Sequence, residues 1–188
     1  MKRIVNAIAA AGLALTLLLP FSQAALAEEV TCTGTLRAVT VDNVRVPQNA
    51  TCTLNRTIVQ GTVKVEANAT LRANGARING NVQAENAKDV RVTSNSFVGG
   101  SVQVVQSGSA RVESSQVNGD ILFDDNDRAL SVTNNTVGGS VQAFKNTGGL
   151  TISTNTITGN LQCKENAPAP TGRRNTVNGN KEDQCANF

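Results

Sequence analysis

The chain has 188 residues, 17 basic and 14 acidic, with a formal net charge of +3 and no histidine, tryptophan or tyrosine. That is one domain's worth of sequence. The charge is small, and beyond Lys2-Arg3 at the start Arg173-Arg174 is the one basic cluster in chain order, which gives no support to nucleic-acid or anionic-lipid partners. Without histidine, the usual proton shuttle near neutral pH is missing.

Residues 1–27 read as a cleaved secretory signal peptide. Lys2 and Arg3 form a basic start, a mostly apolar run follows from Ile8 to Leu19, and Ala25-Leu26-Ala27 suits cleavage before Glu28. The apolar run is shorter than the ~20 residues of a membrane span. No second such run follows, so stable membrane insertion is not expected. Removing 27 of 188 residues leaves 161, with 15 basic and 14 acidic side chains and a net charge of +1. Release into periplasm or medium is the simpler expectation.

From residue 28 onward one repeating step governs the chain. Gly61, Gly80, Gly100, Gly119, Gly139, Gly159 and Gly179 lie 19, 20, 19, 20, 20 and 20 apart. So short a repeat, rich in Val, Asn, Thr and Gly, buries its apolar side chains only by stacking on its neighbours. Apolar and polar residues alternate at matching places, as in Val82 and Ala84, Val102 and Val104, Ile121 and Phe123, Val141 and Ala143. Period-two alternation marks a half-buried strand. A second strand follows about eight residues later, with Val90 and Val92, Ala110 and Val112, Leu130 and Val132. A third apolar column precedes each glycine: Ile78, Val98, Val117, Val137, Ile157, Val177. The expected fold is an all-β, single-stranded parallel β-solenoid of three sheets, one repeat to each coil. Residues 28–57 are expected to form an N-terminal cap, 58–159 the regular coils and 160–188 a C-terminal cap.

The turns carry further expectations. The column glycines would supply positive φ at sharp bends. Ser115, Asn135, Asn155 and Asn175 recur four residues before a column glycine, and Asn95 joins them if its coil carries one extra residue. Side chains stacked in this way bond to one another as a ladder. Cys32 and Cys52 lie 20 apart and Cys163 and Cys185 lie 22 apart, about one coil each. Strands ~4.8 Å apart fall inside the span of a disulfide, so Cys32–Cys52 and Cys163–Cys185 are the expected staples. A four-cysteine zinc site lacks any CxxC pair, and an exported chain favours oxidation.

These repeats resemble the right-handed parallel β-helix class. The closing stretch Asn160-Leu161-Gln162-Cys163, then Asn166-Ala167-Pro168-Ala169-Pro170-Thr171-Gly172, Gly179-Asn180-Lys181 and Gln184-Cys185 resembles a C-terminal signature of small exported bacterial proteins with no established function. The resemblance implies a bacterial, exported, right-handed and disulfide-capped helix. It implies no reaction.

One acidic run invites a chemical reading: Asp120, Asp124, Asp125 and Asp127, beside Arg128. A glycosidase needs two carboxylates roughly 5–9.5 Å apart. A calcium site, with Asp124, Asp125 and Asp127 as its candidates, needs several oxygen ligands. The pectin hydrolases, which the chain resembles in general fold alone, carry Asn-Thr-Asp, Asp-Asp and Gly-His-Gly motifs. Here Asp124-Asp125 matches and the other two are missing. The competing reading is a solvated turn, with Asp125 one coil from Lys145 and paired with it. Thr136, Thr156 and Thr176 share one column, with Ser96 and Gln116 before them, and strand propensity accounts for the threonines. The expectation is a non-catalytic exported structural or surface-interaction protein with no cofactor, its partner a cell-surface glycan or copies of itself. The alternative is a polysaccharide-binding or polysaccharide-cleaving protein that uses the Asp120–Asp127 run, with calcium in support.

Overall fold

A computed structural model describes residues 28–188; the expected signal peptide, 1–27, lies outside the described residues. The described residues hold 25 short strands in three parallel sheets of nine, eight and eight strands, and no helix. No helix long and apolar enough to cross a membrane is found among them. Each coil gives one strand to each sheet. Val82–Glu85 lies in sheet A, Asp89–Thr93 in sheet B and Phe97–Val98 in sheet C. Every strand pairs with its copy one coil away, in register: Val82 with Val102, Val90 with Ala110, Val98 with Val117. The chain is thus a parallel β-solenoid whose coil length equals the glycine step of its sequence. Its end segments join the same sheets, since Glu29–Thr31 pairs with Asn43–Val46 and Lys181–Asp183 with Leu161–Lys164.

The alternating apolar residues fill a narrow interior. Val63, Val82, Val102, Ile121, Val141 and Leu161 form one buried column, and Val59, Ile78, Val98, Val117, Val137 and Ile157 form another. Each such side chain contributes about 1.5–3 kcal/mol by leaving water. The disulfides Cys32–Cys52 and Cys163–Cys185 join neighbouring coils near the two ends, with Cα atoms 5.4 and 5.3 Å apart.

Parallel strands stack well, but the three corners between them leave backbone groups that need partners. A ladder of side chains runs along each corner. Between sheets B and C, Asn135 donates from both its backbone N–H and its Nδ2 to Asn155 Oδ1, at 3.0 and 3.1 Å. Asn155 does the same to Asn175 Oδ1, and its Nδ2 also donates to the Val132 carbonyl. Asn155 therefore fills all four of its side-chain hydrogen-bonding positions while 1 % exposed. Ser115 joins the ladder by donating its N–H to Asn135 Oδ1.

The next member of that column is Ser96, not Asn95. Phe97 lies opposite Gln116, which places Ser96 opposite Ser115. Ser96 is buried and its Oγ accepts the Ala76 N–H, whereas Asn95 is exposed with φ 59°. This coil holds its extra residue in the turn, where Ser94 and Asn95 both have positive φ. The same register puts Phe97, rather than Ser96, in the column of Gln116, Thr136, Thr156 and Thr176.

The column glycines also serve differently from the expectation. Positive φ among described glycines occurs at Gly75 and Gly149, outside the column. The column glycines are needed for closeness. Their backbones bond directly, Gly119 N–H to Gly100 carbonyl and Gly139 N–H to Gly119 carbonyl, at 2.9 and 3.0 Å. A Cβ on Gly80 would lie 2.6 Å from the Gly61 carbonyl oxygen, and one on Gly119 would lie 2.8 Å from the Gly100 carbonyl. Left-handed conformation falls on other residues at the other two corners. Gln106, Asp125, Lys145 and Glu165 adopt it between sheets A and B, and Ser114, Asn134, Thr154 and Arg174 between B and C. Each turns the next residue, Ser or Asn, inward.

Two substitutions at adjacent positions should act in opposite directions. Asn155→Ala leaves the Asn135 N–H, one Asn135 Nδ2 proton and the Val132 carbonyl without these partners, while the backbone N–H of residue 155 still reaches Asn175, and should destabilise by about 3 kcal/mol or more, since each orphaned buried group costs ~1–3 kcal/mol. Thr154→Asn relieves a β-branched residue at φ 60° and should stabilise by about 0.5–1 kcal/mol. Thermal denaturation of both variants checks the pair.

Candidate functional site

The run from Asp120 to Arg128 spans one strand and the two corners that flank it. Asp120 belongs to a third ladder, at the glycine corner between sheets C and A. There each backbone N–H donates to the side chain of the preceding coil. Thr62 donates to Asn43 Oδ1, Asn81 to Thr62 Oγ1, Ser101 to Asn81 Oδ1, and Asp120 to Ser101 Oγ. Ser140 then donates to Asp120 Oδ1 at 2.7 Å, Asn160 to Ser140 Oγ, and Asn180 to Asn160 Oδ1. The Asp120 carboxylate fills the place that Asn fills in other coils.

Asp124 closes the strand Ile121–Asp124, on the outer face of sheet A between Val105 and Phe144. One of its oxygens, Oδ1, is covered and has no hydrogen-bond partner. It borders a shallow depression of ≈ 250 Å³ with Phe144, Lys145, Lys164 and Glu165. Asp125 is the left-handed residue of the A–B corner, with φ 56°. Asp127 is exposed beside Arg128, their ion pair 3.9 Å long and open to water, an arrangement worth ~0–1 kcal/mol. The expected Asp125–Lys145 pair is replaced by backbone contacts. Asp125 donates its N–H to the Phe144 carbonyl and Lys145 donates its own to Lys164. No Asp125–Lys145 ion pair is found among the described residues.

The four carboxylates therefore do not converge. Asp120 lies at the C–A corner and Asp124 at the far end of the strand Ile121–Asp124, with that strand between them. Asp124, Asp125 and Asp127 divide between a sheet face and a corner. Among the described residues no group of three or more His, Cys, Asp or Glu side chains is gathered to hold a metal ion.

Two arrangements went unread in the sequence. A buried ladder runs along the A–B corner. Asn126 donates N–H and Nδ2 to Asn146 Oδ1, Asn146 to Asn166 Oδ1, and Asn166 to Gln184 Oε1. The even spacing of the three asparagines, 20 apart, was the available signal. The second arrangement is on sheet B, where Arg72, Arg91 and Arg111 stack in register on successive coils. No family model, curated protein or solved structure matches the chain.

If Asp120 serves the ladder, Asp120→Asn should leave stability within a few tenths of a kcal/mol. Asp120→Ala should cost about 1 kcal/mol by orphaning the Ser140 N–H. Asp125→Gly should be neutral or slightly stabilising, because glycine takes positive φ freely. Chemical denaturation of the three variants measures these differences.

Proposed function

We propose that this protein is an exported, non-catalytic β-solenoid that acts as a rigid structural or surface-interaction component. The observation that carries the reading is the placement of Asp120, Asp125 and the buried asparagines. Residue types that could do acid–base or ligand chemistry serve here as coil-to-coil connectors and corner residues. Two disulfides near the ends favour an oxidising compartment. The Lys2-Arg3 start, the apolar run and Ala25-Leu26-Ala27 support export with cleavage before Glu28. The C-terminal signature supports a bacterial source.

Pectic and uronate polymers incubated with the purified mature chain, with and without calcium, supply the test. Reducing-end and unsaturated-product assays should register no turnover in either condition. Turnover abolished by Asp125→Ala would overturn the reading in favour of a polysaccharide-cleaving enzyme.

A further inference from the structure

The outer face of sheet B carries one column whose members are Thr35, Thr53, Arg72, Arg91, Arg111, Ser131, Thr151 and Thr171. Most rungs use a small hydroxyl side chain there. Three consecutive rungs carry guanidinium groups instead, on strands ~4.8 Å apart. Like charges at adjacent in-register positions oppose folding, and only part of that repulsion is offset on the same strands, by Asp89 beside Arg91 and Glu113 beside Arg111. All three side chains are exposed.

One of the three is held in place by a neighbour two residues earlier on its own strand. Asp89, 9 % exposed, accepts Arg91 Nε at 2.8 Å on Oδ2 and the Ser109 hydroxyl at 2.6 Å on Oδ1. That contact fixes the plane of the Arg91 fork through its Nε and leaves its terminal nitrogens to solvent. Arg111 lies 3.5 Å from the exposed Glu113. Lys88 lies exposed along the A–B edge, and Arg128, paired with Asp127 at 3.9 Å, runs over Gly108. A depression of ≈ 450 Å³ crosses the face from Asp89 and Arg91 over Arg111 to Ser131 and Thr151.

We propose that this face binds a linear acidic polysaccharide lying along the solenoid axis, its anionic groups taken by Arg72, Arg91 and Arg111. Guanidinium forks match carboxylate and sulfate oxygens in paired hydrogen bonds. Ser131 and Thr151 supply hydroxyls suited to sugar hydroxyls along the same line. The column offers no aromatic ring to stack a nucleobase and no apolar wedge to enter a bilayer. The proposal rests on the surface-interaction reading above and names its partner class.

Affinity electrophoresis in gels containing polygalacturonate, dextran sulfate or neutral dextran tests it, with polymer length measured before and after contact. The wild-type chain should be retarded by at least one acidic polymer and ignored by dextran, the effect fading as salt rises. Polygalacturonate as the stronger ligand assigns carboxylate recognition, and dextran sulfate as the stronger assigns sulfate. The triple change Arg72→Gln, Arg91→Gln, Arg111→Gln should weaken binding by about tenfold or more. Lys64→Gln, Lys145→Gln, Lys164→Gln removes the same charge elsewhere and should bind nearly as wild type. Asp89→Asn raises the positive charge yet loosens Arg91, so it should weaken binding by about two- to fivefold. Thermal melts confirm that each variant folds. Equal losses in the two triple variants, tighter binding by Asp89→Asn, equal retardation by duplex DNA or anionic vesicles, or no retardation of wild type would each overturn the proposal. A shortened polymer would instead overturn the non-catalytic reading and leave the face assigned.

Discussion

The structure depends on one constraint: each coil must lie on the next so closely, and in such strict register, that its corners bond as its strands do. Strands satisfy their backbone through the sheets. Corners have no sheet, so side chains replace it. The two asparagine corners and the mixed Asn, Ser, Thr and Asp corner are three answers to that requirement. At the first two, a buried amide accepts from the coil before it and donates to the coil after it. At the third, glycine backbones touch and the residue after each glycine accepts the N–H of the next coil. A missed partner at the two buried asparagine corners costs more than an ordinary surface contact, because water does not readily take its place.

That constraint decides what the sequence is free to do elsewhere. Inward positions belong to Val, Ile, Leu, Ala, Phe123, the disulfide cysteines and the ladder residues. Corner positions with positive φ accept Gln, Asp, Lys, Glu, Ser, Asn, Thr or Arg, a mixture that reflects geometry more than side-chain chemistry. Asp125 is one of that series. Asp120 belongs to another, and its neighbours in the ladder are Ser101 and Ser140. Side chains released from these duties lie on the outer sheet faces, and there the columns differ in character. Sheet A stacks Gln83, Gln103, Gln142 and Gln162, with Leu122 among them. Sheet B stacks the three arginines. Function in such a fold is read across rungs, where side chains a full coil apart in sequence become neighbours.

Much of this was legible in the chain itself. The repeating glycine step, the alternating Val and Ile columns and the cysteine spacings give the solenoid, its three sheets and both disulfides. Where the reading fell short, the cause is local geometry. Asn95 looked like a ladder member because its type matched, but the extra residue at Ser94-Asn95 moves it one place outward and Ser96 enters. The glycines looked like positive-φ residues because that is glycine's commoner use in turns. Only the stacked backbone shows that they are needed for the space a Cβ would take. The Asn126, Asn146, Asn166 ladder was as regular as the one recognised, yet it lay within and beyond an acidic run that drew a chemical reading. The arginine column was invisible to a search for basic runs, because Arg72, Arg91 and Arg111 become one patch only after coiling.

The most direct test of the account is hydrogen exchange of the asparagine side-chain amides, followed by NMR on the folded chain. The ladders require the Nδ2 protons of Asn126, Asn135, Asn146 and Asn155 to be protected as strongly as the strand amides beside them. The exposed Asn187 should exchange freely. Exchange of the four ladder amides at the Asn187 rate would mean that the corners are open to water, and the coil-to-coil bonding described here would be wrong.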